Sequence, residues 1–169
     1  MRAAIFGRNL KTTLIRSAVW VVVFVVLLRI LFVHVEVEGI SMLPTYEDRS
    51  THWVNRMAYF FHEPQRSDVV AIGERGNDDE RSLFSPHVMF LKRIIGLPGE
   101  TVAFEDGNVL INGKTLDEPY EKFGCSWTRA PVMLATDEYF VVGDNRTMPQ
   151  EDHTFGICKR YQIVGKIVP

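Results

Sequence analysis

From Ser17 to Val33 the chain reads S-A-V-W-V-V-V-F-V-V-L-L-R-I-L-F-V, interrupted by a single charge at Arg29. As a helix this run covers about 26 Å at roughly 1.5 Å per residue, close to the thickness of a bilayer's hydrocarbon core. It has no polar face, which argues against a helix lying on a soluble core. Beyond it the period changes to two. Val33 to Glu38 alternates apolar and polar positions, as a half-buried strand does. Asp68–Ile72, Met89–Ile95, Tyr139–Val142 and Tyr161–Val168 are further strands by their runs of β-branched and aromatic residues. Thr101–Phe104 and Val109–Ile111, joined at Asp106-Gly107, form a hairpin, and Asn112-Gly113 marks the next turn. Prolines at 44, 64, 86, 98, 119, 131 and 149 leave little room for long helices. One short helix is expected at Thr51 to Phe61. The polar stretch Gly73 to His87 and the irregular stretch Leu116 to Pro131 read as surface insertions.

Charge divides the chain at the same place. Residues 1–34 hold five of the 19 basic residues (Arg2, Arg8, Lys11, Arg16, Arg29) and none of the 21 acidic ones, so residues 35–169 carry 14 basic against 21 acidic, a net of −7. Positive residues before an apolar span favour the cytoplasmic side. The expected organisation is a basic cytoplasmic segment (1–16), a transmembrane signal anchor (17–34) and an extracytoplasmic β domain (35–169). Arg29 can snorkel to the headgroups and Trp20 suits the opposite interface. A cleaved signal peptide is the rival, but I-L-F-V-H-V-E-V-E-G after Arg29 offers no small-x-small cleavage site.

Composition excludes several classes. With 46% apolar and 24% charged residues over 169 positions, neither disorder nor a multi-span membrane protein fits. A net charge of −2 gives no nucleic-acid signature. The five histidines lack metal-ligand spacing, Cys125 and Cys158 are not a C-x-x-C pair, and no phosphate-binding glycine loop occurs, so no metal or cofactor is expected. The two cysteines could pair outside the cytoplasm or stay as free thiols. Trp53, Tyr59, Phe60 and Phe61 are expected in the core, with docking on a bilayer as the alternative.

Two residues carry candidate chemistry. Ser41 lies between Gly39 and Pro44 just after the first strand, although serines in such turns commonly only bond the backbone. Lys92 lies within F-L-K-R-I-I. Strand alternation puts Phe90, Lys92 and Ile94 on one face and Leu91, Arg93 and Ile95 on the other, so one cation points into apolar surroundings. Burial disfavours the ammonium form, and a neutral lysine can activate a serine hydroxyl. An exposed edge-strand lysine that guards against aggregation is the plainer alternative.

The order of motifs decides between them. G-I-S-M-L-P-T at 39–45, S-D-V-V at 67–70, F-L-K-R-I-I-G-L-P-G-E at 90–100 and G-D-N-R at 143–146 follow one anchor helix. This set resembles type I signal peptidase, the membrane-bound Ser-Lys endopeptidase family that removes signal peptides from exported proteins. The resemblance runs from the anchor to about Lys166. It implies a mainly β fold of coiled antiparallel sheets behind one N-terminal transmembrane helix. It implies Ser41 as nucleophile and Lys92 as general base. Met42, Phe90 and Leu91 match positions that shape the pockets for substrate residues −1 and −3, and Gly39 and Ile40 beside the nucleophile count as substrate-binding with them. Arg93 and Asp144 match charged positions that hold the strands of the site together.

Further expectations rest on the same resemblance. The partners are preproteins with small residues at −1 and −3 and the lipid bilayer, with no nucleic acid; the protein export machinery is left open. The location is a bacterial plasma membrane or, as an alternative, an organelle inner membrane of bacterial ancestry. One stretch departs from the family pattern: Pro149 occupies the place of a serine that helps orient the lysine, and Glu151 and His153 replace an Asp and an Arg. Thr147 or Thr154 would have to supply the missing hydroxyl. The departure motivates two alternatives, a specialised peptidase for pilin or conjugative-transfer substrates and a non-catalytic membrane-tethered binder. Asn145-Arg146-Thr147 matches a glycosylation sequon but overlaps G-D-N-R and reads as coincidence.

Overall fold

Strand pairing, most of it between segments distant in sequence, organises the chain. The structure is a computed structural model that describes residues 10–37, 39–73, 89–121, 124–152 and 156–168. Helix α1 spans Leu10–Leu31, and strand β1 (Phe32–Glu36) follows it directly. Ten more strands follow: β2 (Thr51–Asn55), β3 (Val69–Gly73), β4 (Met89–Gly96), β5 (Thr101–Glu105), β6 (Asn108–Ile111), β7 (Lys114–Thr115), β8 (Arg129–Met133), β9 (Glu138–Val142), β10 (Ile157–Lys159) and β11 (Ile163–Val168). Seven form one antiparallel sheet in the order β1-β2-β11-β3-β4-β9-β10, and four form a second in the order β7-β6-β5-β8. The expected mainly β architecture behind one apolar helix is the one observed.

Helix α1 has no buried residue among those described and is long and apolar enough to cross a membrane. It begins earlier than the expected span and ends at Leu31, so Val33 and His34 belong to β1. The change follows from pairing: Phe32 stands opposite Asn55 and Val33 opposite Val54, which offers the backbone a ladder in place of another helical turn.

The expected helix at Thr51 to Phe61 does not form. Thr51–Asn55 is β2, paired with β1 on one side and β11 on the other, and residues 56–59 are turn. Trp53 and Val54 favour extended backbone, and two partners distant in sequence complete the hydrogen bonding. The expected core role holds for buried Tyr59 alone of the four aromatics; Trp53 is half-exposed, and Phe60 and Phe61 stand in solvent in edge-to-face contact. The stretch Leu116 to Pro131 is not a surface insertion, because Trp127 is buried in the core and β8 begins at Arg129. Most of Gly73 to His87 lies outside the described residues. Strands β7 and β10, of two and three residues, escaped the period-two pattern because they are too short to show it.

Three buried clusters fill the fold, and β4 contributes to each. Leu91 packs with Val35, Val37, Met42, Val54, Val69, Ala71 and Ile167. Ile94 packs with Val70, Ile72, Tyr139 and Val141, and Ile95 joins Val102, Phe104, Trp127, Leu134 and Phe140 between the two sheets. Cys125 and Cys158 are both free thiols, and burial pushes the Cys158 thiol up to about 12.

Gly96, at the end of β4, sits where the two sheets meet. A Cβ there would lie 2.5 Å from Val102 Cγ2 and 2.9 Å from both Leu134 Cδ1 and Phe140 Cβ. Gly96→Ala is expected to overpack this junction and lower unfolding free energy by about 1–3 kcal/mol, measured by denaturant unfolding of the full chain in detergent.

Candidate active site

The loop between β1 and β2 holds Ser41. It closes through hydrogen bonds from Val37 N to Ser50 O (2.8 Å) and from Arg49 N to Val37 O (2.8 Å). Asp48 Oδ1 accepts from Gly39 N at 2.7 Å, and Gly39 takes φ +92°, a left-handed conformation that suits glycine. Met42, 1% exposed, plugs the loop into the cluster around Leu91 and Val35. Ser41 therefore sits on a loop pinned at both ends and from beneath.

Lys92 comes from inside the seven-stranded sheet, opposite Val70 of β3. Its Nζ donates to Ser41 Oγ at 2.8 Å, joining two residues 51 positions apart. Lys92 is 4% exposed, and burial pushes its pKa down to about 8. No charged neighbour contributes to that lowering. An amino group buried without a counter-ion favours its neutral form, which has a lone pair for a proton.

The G-D-N-R turn after β9 cradles the nucleophile loop, each residue in its own way. A Cβ on Gly143 would overlap the Ser41 carbonyl, so only glycine lets the two backbones meet. Asn145 N donates to Ser41 O at 2.9 Å, and Asn145 Nδ2 donates to Ile40 O at 3.1 Å. Asp144 is fully buried and accepts from Arg93 Nε (2.8 Å) and Nη2 (2.6 Å) as a bidentate pair, and also from Thr45 Oγ1 at 2.5 Å. Arg146 Nε donates to Gly143 O at 2.8 Å. Arg93 also donates to Ser67 O at 2.8 Å, tying the turn before β3 to the same group.

The expected site residues fall into three sets. Ser41, Lys92, Arg93 and Asp144 converge. Ile40 and Gly39 stand exposed beside the nucleophile, and Phe90 is half-buried on β4. Met42 and Leu91 pack inside the core, so in this conformation they support the site from beneath and do not line an open pocket. Both cations of β4 are buried, where the alternation had called for one, because the strand has neighbours on both edges and packing on both faces.

Thr147, one of the two hydroxyls expected to replace the family serine, turns its hydroxyl to Asn145. Its Oγ1 donates to Asn145 Oδ1 at 2.6 Å, and Asn145 Oδ1 also accepts from Thr147 N. Thr154 and His153 lie outside the described residues. Asn145 is 6% exposed and its Nδ2 donates to Ile40 O, so it is not presented to solvent as a glycan acceptor. Gly143, Asn145 and Thr45 stand in the motifs that the sequence offers but carry no expected role there; the close approach of residues 41 and 143, 102 positions apart, is a tertiary fact with no local signal.

The site thus sets a serine hydroxyl against a buried lysine amine, on a loop pinned between two β segments. The family profile for signal peptidase, peptidase S26, matches residues 11–169. The chain belongs to this family. It is 37% identical over 130 residues to a signal peptidase I of Leptolyngbya laminosa, covering 76% of this chain and 63% of that protein. It is 34% identical over 126 residues to a probable signal peptidase I-2 of Synechocystis sp., covering 75% and 56%. With signal peptidase I V of Bacillus subtilis it shares 32% identity over 150 residues, covering 80% and 83%. The match thus spans less than two thirds of the first two relatives and most of the Bacillus one.

Removing one half of the Arg93–Asp144 pair leaves an uncompensated buried charge. Asp144→Ala is expected to cost about 3–5 kcal/mol of stability, while Arg93→Met with Asp144→Leu recovers much of it. Thermal and denaturant unfolding of the three variants measure the difference.

Proposed function

We propose that this chain is a membrane-anchored serine endopeptidase that removes signal peptides from exported preproteins by a Ser-Lys dyad. The observation that carries this reading is the 2.8 Å contact between Lys92 Nζ and Ser41 Oγ, with Lys92 only 4% exposed. In the resting arrangement Nζ donates to Oγ. With the lysine neutral, the same separation lets the Nζ lone pair take the hydroxyl proton as Oγ attacks the scissile carbonyl. Among the described residues no acceptor takes the Ser41 N–H, so this group can bond the developing oxyanion. Lys92 then gives its proton to the leaving amine. The mature protein departs with that amine, the signal peptide remains as the acyl-enzyme on Ser41, and Lys92 takes a proton from the water that releases the signal peptide.

The substrate residues before the cut would meet Gly39, Ile40 and Phe90, with Met42 and Leu91 setting the depth of the pockets from beneath. Helix α1 is the anchor, with its basic side in the cytoplasm and the β domain outside. Arg56 N donates to Leu31 O at 2.9 Å, so the turn that carries exposed Phe60 and Phe61 starts at the helix end. These aromatics suit a bilayer surface, where a signal peptide is met. A specialist peptidase remains the second reading. It is favoured by Pro149 and by the engagement of Thr147 with Asn145, which together leave Lys92 without the family's orienting hydroxyl among the described residues.

Cleavage of a labelled preprotein by detergent-solubilised protein tests the proposal. Ser41→Ala and Lys92→Ala should each lower kcat by about 10³-fold or more. Activity retained by either variant would remove the dyad, and a panel of preproteins separates a general enzyme from a specialist. Since Lys92 must be neutral, kcat/KM should fall about tenfold per pH unit below a limb near 8 and level off above it. Gly143→Ala, which forces Ser41 away from its seat, should cost about 10²-fold in kcat with the overall fold retained by circular dichroism.

A further inference from the structure

Glu118 and Tyr120 lie in the segment between β7 and β8, outside every motif that pointed to the site. We propose that they are positioning residues, a clasp that holds the 143–146 turn, and through it Ser41, in register with Lys92. The inference rests on the reading of Ser41 and Lys92 as the reacting pair.

The geometry is continuous from the clasp to the nucleophile. Glu118 Oε1 accepts from Arg146 Nη2 at 2.5 Å, and its Oε2 accepts from Arg146 Nη1 at 3.3 Å. Both side chains are buried, with 1% of the Arg146 side chain and 9% of Glu118 exposed. Arg146 Nε in turn donates to Gly143 O, and Gly143 lies against the Ser41 carbonyl. Tyr120 works on the other cation. Its ring lies 4.0 Å from Arg93 Cζ, and Arg93 grips Asp144, which holds Thr45 of the nucleophile loop. Tyr120 OH donates to Glu118 Oε1 at 2.9 Å and links the two arms. One short segment therefore faces both buried guanidinium groups that orient the turn. Each guanidinium needs its own carboxylate, because a buried cation left alone draws in water. Asp144 meets that need for Arg93 from within the motif, and Glu118 meets it for Arg146 from outside.

The distinguishing consequence concerns Lys92. If the turn loosens, water reaches Nζ and the ammonium form becomes easier to hold. On the elements packed against Lys92 the charged or titratable groups are Arg93 on its own strand, Asp68 beside β3, Glu138, Tyr139, Asp144 and Arg146 on and after β9, and Tyr46, Glu47, Asp48 and Arg49 in the Ser41 loop, and none of them is substituted in the clasp variants.

Glu118→Gln should lower kcat about 10- to 100-fold with KM within about threefold, and should move the acid limb of kcat/KM upward by about half a unit or more. Glu118→Asp, which keeps the charge, should restore most of the limb position. Tyr120→Leu should move the limb in the same direction, and Tyr120→Phe less, since it keeps the ring over Arg93. The tyrosine variants carry the test if Glu118→Gln fails to fold. Lys92 can also be titrated without catalysis, by competitive acetylation with acetic anhydride across pH, read by peptide mass spectrometry on the Ser41→Ala background. An upward shift on adding Glu118→Gln supports the clasp even if Ser41→Ala unexpectedly retains cleavage, a result that would overturn the dyad instead. If Ser41→Ala abolishes cleavage while folded Glu118→Gln and Tyr120→Leu lower the melting temperature and leave kcat, the limb and the acetylation profile at wild-type values, the clasp is only structural and the proposal falls.

Discussion

Lys92 holds an amino group inside a β-sheet, 4% exposed, with a serine hydroxyl as its partner and no carboxylate contributing to its ionisation. Taking an ammonium out of water without a counter-ion is unfavourable, so burial lowers the lysine's pKa to about 8. The rest of the architecture near the site follows from keeping that arrangement. The amine must stay dry, Ser41 must stay within reach, and the neighbouring charges must be neutralised locally so that none of them supplies the missing counter-ion. Arg93 with Asp144 and Arg146 with Glu118 meet the last condition as closed pairs.

The Ser41 side depends on shape more than charge. A loop of a dozen or so residues between β1 and β2 would ordinarily be mobile. Here the backbone bonds near its base, the Met42 plug and the Asn145 amide bonded to Ile40 O fix its path. Gly143 allows the close approach that makes the Asn145 contact possible. These contacts belong to one arrangement, in which each brings the partners of the next within hydrogen-bonding distance.

The two sheets divide the work. The seven-stranded sheet supplies Lys92 on β4 and the cradle after β9, and its β1–β2 loop supplies Ser41. The four-stranded sheet packs on it through Ile95, Val102, Phe104 and Phe140, and the segment after its β7 strand brings Glu118 and Tyr120 to the arginines. A stretch with no regular pattern thus takes part in the polar framework of the site. Its irregularity has a local cause, since Pro119 lies between the two residues and the backbone turns at 119–120.

Much of this was legible in the residues. The apolar run without a polar face required a lipid-length helix, and period-two stretches with turn signals required β structure, because those periods are imposed by backbone geometry. The order of the Ser41, Lys92 and G-D-N-R elements marked the two residues that the fold brings to 2.8 Å of each other. Other features were decided only by tertiary contacts. Thr51–Asn55 became a strand because β1 and β11 were there to pair with it. Met42 and Leu91 turned inward because the loop needed a plug. Phe60 and Phe61 stayed outside the core, and Glu118 found Arg146 across 28 positions. Local chemistry sets what a segment can be, but a buried charge or a close backbone approach is settled by its partners, and those lie elsewhere in the chain.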